Sequence, residues 1–155
     1  MKKLKVPYLP TLDVLDFSSV ATVMEVKTQW EYIESVNWKD EYPYKPLAAF
    51  GIARTDRNLY IRYFVRGNSL KASCDKDGSP VYTDSCVEFF MKKEDDAEYM
   101  NFEFNCIGTC DASRRLSRSE SNPVTPEEYL SIRRYSSVRS QVFPEKTGIH
   151  AWSLI

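Results

Sequence analysis

The sequence has little of what most enzymes of its size use for metal or phosphate chemistry. Among its 155 residues there is one histidine, His150, and only five glycines. A single histidine cannot build a His-rich metal centre. The C-x3-C pair Cys106 and Cys110 has no second pair at zinc spacing, so both read as packed or loop thiols. A haem would need axial ligands from His150 with Met24, Met91 or Met100, but methionines in apolar runs read as core filler. Net charge is also missing: 21 basic residues face 22 acidic ones, a balance of −1. That leaves no electrostatic footprint for nucleic acid or for a membrane surface. No apolar run reaches the roughly 18 residues of a membrane span. The basic start "MKKLKVPYLP" is followed by Pro7 and Pro10 instead of an apolar segment, so it does not read as a secretory signal. On these grounds a cytoplasmic location is expected, the alternative being a leader that lies outside this sequence. Four cysteines would permit two disulfides, but a chain of this length can build its core without them. Cys86 and Cys106 fall in strand-like apolar runs and are expected as buried thiols.

What is present is aromatic. Phe, Trp and Tyr make up 14% of the residues, with ten tyrosines, a bias toward sheets and stacking surfaces. "LAAFGIAR" (47–54), the turn "TDRN" and "LYIRYFVRG" (59–67) read as a hairpin. Its second strand places Leu59, Ile61, Tyr63 and Val65 on one face and Tyr60, Arg62, Phe64 and Arg66 on the other. Two further strands are expected at 85–92 and 100–109. The segment "SSVATVMEVKTQWEYI" fits a short helix from a serine cap or a strand, because its apolar spacing supports both. "TPEEYL" begins a helix, with Thr125 as cap and Pro126 at the first helical position. "DASRRLSRSESNP" (111–123) reads as a polar surface loop and "SIRRYSSVRSQV" as a loose strand. "HAWSLI" is strand-like with nothing after it, so the sheet is expected to continue beyond residue 155. Together these indicate a mainly β chain: one antiparallel β-sandwich domain over 1–155, jelly-roll or immunoglobulin-like, with one or two short helices.

Candidate functional residues come from alternation in the third and fourth strands. In 85–92, Val87, Phe89 and Met91 share one face, and Cys86, Glu88 and Phe90 the other. In 100–107, Phe102, Phe104 and Cys106 share one face, and Asn101, Glu103, Asn105 and Ile107 the other. Pairing of the two strands would make one face oily and gather Glu88, Asn101, Glu103 and Asn105 on the second. Within these strands that face holds no lysine or arginine. A solvated outer face usually mixes signs. Carboxylates and amides can instead hydrogen-bond sugar hydroxyls, and Tyr82 just upstream can stack on a sugar ring. Trp38, beside Tyr42 and Tyr44 in a proline-bound loop, is either core or a second stacking ring. Asp84 is expected to cap the adjoining loop or help hold an ion. Calcium is a more plausible cation than zinc or haem iron, through Asp75, Asp77 and Asp84 or the acidic turn 93–98, the alternative being plain solvated acidic turns.

The blocks "YTDSCVEFF" and "YMNFEFNCIGT", with the upstream hairpin, resemble the family 9 carbohydrate-binding modules, in particular the family 9-like proteins of bacteria. The resemblance spans about residues 36–152. It implies a DOMON-like antiparallel β-sandwich that binds oligo- or polysaccharide, often at chain ends, with structural calcium in some members. It places the clamp aromatic on Tyr82, the hydrogen-bonding acid on Glu88, and further polar contacts on Glu103 and Asn105. Glu103 stands where other members can carry an arginine, and a second clamp aromatic would lie beyond Trp152. The expected function is therefore non-catalytic carbohydrate binding without a cofactor. The alternatives are a glycoside hydrolase-associated role or a protein-interaction sandwich that has lost its sugar site. A catalytic reading would use Glu88 with Glu103 or with Asp84 as a carboxylate pair.

Overall fold

A computed structural model describes residues 3–155. Met1 and Lys2, at the head of the basic start, lie outside the described residues. The chain is mainly β, and its strands form two four-stranded antiparallel sheets, the make-up of a β-sandwich. Among the described residues no helix is long and apolar enough to cross a membrane. The chain divides into two compact units, one ending at Asn68 and completed by Ile149–Ile155, the other Ser69–Gly148.

The first unit opens with a 3-10 turn over Pro10–Val14 and helix α1, Phe17–Lys27. The open choice over this stretch is settled both ways: a helix first, then a short strand. The helix is capped by Asp16, whose carboxylate accepts from the Ser19 backbone at 2.9 Å, and not by a serine. Val20 and Met24, one turn apart, face inward and pack with Leu12 and Ala53. Strand β1 (Trp30–Tyr32) then pairs with β2 (Leu47–Arg54), and β2 with β3 (Leu59–Ala72). The register Ala49↔Phe64, Ile52↔Ile61, Arg54↔Leu59 is that of the expected hairpin. Tyr63 and Val65 are buried while Phe64 and Arg66 are exposed, as alternation requires. The tight β2–β3 turn is held by Thr55, whose hydroxyl accepts from the Arg57 and Asn58 backbones. Asp13 joins it to the N-terminal turn by accepting from Asn58 at 2.7 Å, Tyr60 at 3.0 Å and Thr55 at 3.1 Å. Gly51 is required by packing: a Cβ there would fall on the buried Thr28 side chain. Strand β8 (Phe143–Leu154) lies beside β3 at the edge of this sheet, so the terminal apolar run has a partner within the chain.

The second unit is a meander, with order β4-β5-β6-β7 over Cys86–Met91, Tyr99–Asn105, Cys110–Arg115 and Ser121–Pro123. Helix α2, Pro126–Ser131, follows. Two expectations are corrected here. Residues 111–123 are not one loop but contain β6 and β7. Their period-two pattern was hidden because the inward positions are small, Cys110 and Ala112, and the rest are polar. Residues 131–142 form no strand. Arg134 is drawn instead to Asp77, and Ser136 donates to the Cys106 carbonyl at 2.5 Å. The oily face of this sheet buries Cys110, Ala112 and Val124 against Phe102, Phe104, Tyr129 and Ile132. Helix α2 has the full capping box: Thr125 accepts from the Glu128 backbone at 3.3 Å, and Glu128 accepts from the Thr125 backbone at 2.8 Å.

Candidate functional site

The polar face of the second unit is set by register. Strand β4 pairs with β5 so that Cys86 lies opposite Asn105, Glu88 opposite Glu103, and Phe90 opposite Asn101. Directly opposed residues of an antiparallel pair point to the same side. Glu88, Asn101, Glu103 and Asn105 therefore do share one face. Strand β6 extends it, with Asp111 opposite Glu103, Ser113 opposite Asn101 and Arg115 opposite Tyr99. The absence of a cation from this face thus holds only for β4 and β5; Arg115 supplies one from the third strand.

Three carboxylates, Glu88, Glu103 and Asp111, form one row across the three strands. Like charges directly opposed repel. The row shows it: loss of water around Glu88 and the neighbouring Glu103 charge raise its carboxyl above the ordinary range, against the pull of Arg115 and Arg118. Glu103 and Asn101 are buried, at 8% and 4% exposure. Asn101 Nδ2 donates to Glu103 Oε1 at 2.8 Å. The remaining acceptors, Asn101 Oδ1 and Glu103 Oε2, have no hydrogen-bond partner among the described residues. Arg115 does not serve them. Its Nε donates to Ser113 Oγ at 2.9 Å and its Nη1 to the Arg118 carbonyl at 3.1 Å. The face opens toward β4, the edge strand, where Glu88 and Phe90 are exposed.

Asn105 sits on the same face but is spent on structure. Its Nδ2 donates to the Cys74 carbonyl at 2.8 Å and to Asp84 at 3.0 Å. Its Oδ1 accepts from the Ile107 and Thr109 backbones, tying a turn in which Gly108 takes φ +90°. Asp84 does cap the adjoining loop. It accepts from the Ser73 backbone at 2.8 Å and from the Cys74 backbone at 3.0 Å. Burial alone would raise its carboxyl, but the bonds from Ser73, Cys74 and Asn105 hold it below the usual carboxylate range.

Tyr82 stands on a 3-10 turn, Val81–Thr83, anchored by the fully buried Val81, and the residue is 65% exposed. Trp38 belongs to the first unit. It is no core residue: it is 58% exposed, in a turn closed by the Tyr42 backbone donating to its carbonyl at 2.7 Å. Sequence reasoning did not single out the ring pair Phe90–Tyr99, 6.1 Å between centroids, at the far end of the polar face. Alternation places Phe90 there; its exposure depends on β4 being an edge.

The calcium candidates do not converge. Among the described residues no group of three or more His, Cys, Asp or Glu side chains is placed to hold a metal ion. Asp77 makes a two-pronged ion pair with Arg134, at 2.7 and 2.8 Å. Burial would raise Asp77, but Arg134 and the Cys110 N–H hold it low. Asp75 lines a polar cleft of about 260 Å³ beside that pair, with Thr109, Ser136 and Ser140.

The model of carbohydrate-binding family 9 matches residues 18–155. A Bacteroides uniformis ATCC 8492 protein, provisionally named a carbohydrate-binding protein and solved as a crystal structure at 2.70 Å, superposes with a TM-score of 0.90. The two are 32% identical, over 97% of this chain and 69% of that one. Among curated proteins no sequence matches.

Proposed function

The chain belongs to carbohydrate-binding family 9, and from that premise we propose that it contacts its sugar with the polar face of β4, β5 and β6. Tyr82 stacks on the C–H face of a pyranose, and Glu88, Asn101 and Glu103 accept from its hydroxyls. The observation that carries this reading is the pair of unpartnered buried acceptors, Asn101 Oδ1 and Glu103 Oε2, beside exposed Glu88. Buried acceptors left without donors are costly in a folded chain. A sugar hydroxyl is a donor of the right size. Asn105 supports the site by pinning the loop that ends in Asp84. On this reading the binding is non-catalytic.

The test is a glycan-array screen followed by titration calorimetry of wild type, Tyr82→Ala and Glu88→Gln. Each variant is expected to weaken binding about tenfold, through lost stacking and a lost charged hydrogen bond respectively. Binding unchanged in both variants would move the sugar to another surface. No binding to any glycan by folded protein would favour an interaction domain.

A further inference from the structure

The row Glu88–Glu103–Asp111 carries more than the capacity to bind a sugar. Resting on the sugar-binding role of this face, we propose that the row selects its sugar by charge, taking a protonated amino sugar in preference to a neutral one and refusing a uronate.

Three observations converge on it. The register sets three carboxylates side by side on adjacent strands, with neighbouring Cα atoms about 4.5–5.5 Å apart. Two buried oxygens on the same face, Asn101 Oδ1 and Glu103 Oε2, lack any donor among the described residues. And Arg115, the cation that β6 places on the face, commits two of its donor groups to Ser113 Oγ and the Arg118 carbonyl. The face is therefore rich in acceptors and negative charge and short of donors. A hydroxyl brings one donor. An ammonium brings three and a positive charge, which the whole row of carboxylates attracts and a neutral hydroxyl lacks. A uronate brings a negative charge of its own, which meets three acids. Exposed Glu88 at the β4 edge is the side from which the amino group reaches the row.

The experiment measures dissociation constants by calorimetry for three oligosaccharides of equal length: a glucosamine oligomer, a glucose oligomer and a galacturonate oligomer. It is run near about pH 6, where ordinary carboxylates are ionised, at low and high salt. The glucosamine oligomer is expected to bind about tenfold tighter than the glucose oligomer at low salt, with no measurable galacturonate binding. The preference should shrink in high salt and in Glu103→Gln and Asp111→Asn, each shown by circular dichroism to be folded. Equal affinity for the amino and neutral sugars, or tight galacturonate binding, would overturn the charge selection while leaving the sugar-binding reading in place. A preference for the amino sugar that survives both substitutions would assign the selectivity to other residues and also overturn the inference. Failure of all three oligosaccharides, together with an empty glycan array, would remove both readings.

Discussion

At the residue scale, the proposed sugar contact of Glu88 would be set against stability. Its carboxyl is raised by lost hydration and by Glu103. A carboxyl raised on folding binds its proton more tightly in the native state. Its ionisation therefore withdraws stability as pH climbs through the ordinary carboxylate value toward the raised one. Glu88→Gln should melt at a higher temperature than wild type near neutral pH, and the difference should vanish in acid, where both side chains are neutral. The same substitution should weaken sugar binding. Paired melting curves across pH check the first claim and calorimetry the second. A Glu88→Gln variant that melts lower at neutral pH would mean that the row does not repel. Asn105 shows the opposite case, a polar residue whose four hydrogen bonds all stay within the fold.

At the element scale, α2 is short and depends on its ends. The Thr125–Glu128 box closes its first turn, and Arg114 from β6 adds an ion pair to the same glutamate. The Arg114 guanidinium and the Thr125 N–H hold the Glu128 carboxyl down at about 2. For an acid depressed in this way, the stabilisation is present above its ordinary pKa and is lost as pH falls through the folded value. The window is about pH 4.5 down to about 2. Acid unfolding followed by circular dichroism should therefore show a smaller dependence in that window for Glu128→Gln. Thr125→Ala should cost about 1 kcal/mol, the ordinary penalty for a lost cap, measured by denaturant titration. An unchanged midpoint in both variants would show that α2 is held by Tyr129 and Ile132 alone.

At the scale of the whole molecule, the thiols report folding. No cysteine is paired among the described residues: Cys74 and Cys86 are half-buried, Cys106 and Cys110 buried. Burial pushes the Cys106 and Cys110 thiols up to about 12, and the Cys86 thiol is raised by the same cause and by Glu88. Native protein should lose Cys106 and Cys110 to an alkylating reagent only as fast as it opens, whereas denatured protein should lose all four thiols together. Mass spectrometry of timed samples reads this directly. Rapid native modification at Cys110 would mean that the β5–β6 turn opens locally, below the global transition.

Much of the candidate site was legible in residues 82–105, because alternation within a strand is a local property. Val87 and Glu88 must point to opposite sides whatever the rest of the chain does, and Glu103 must share the side of Asn101. The capping box of α2 was legible for the same reason: its partners lie three residues apart. The period-two signal failed at β6, where the residues of the oily face are small and those of the other face polar, so 111–115 looked like loop. Only the tertiary structure could set Asp111 beside Glu103 and bring Arg115 onto the face, because cross-strand register depends on where the turns fall and not on composition. It alone turned Asn105 inward, since its partners at Cys74 and Asp84 are brought to it by another part of the chain. The sequence by itself determined which side chains of a strand share a face; the pairing of the strands decided which of them stand together, and which are already spent on holding the fold.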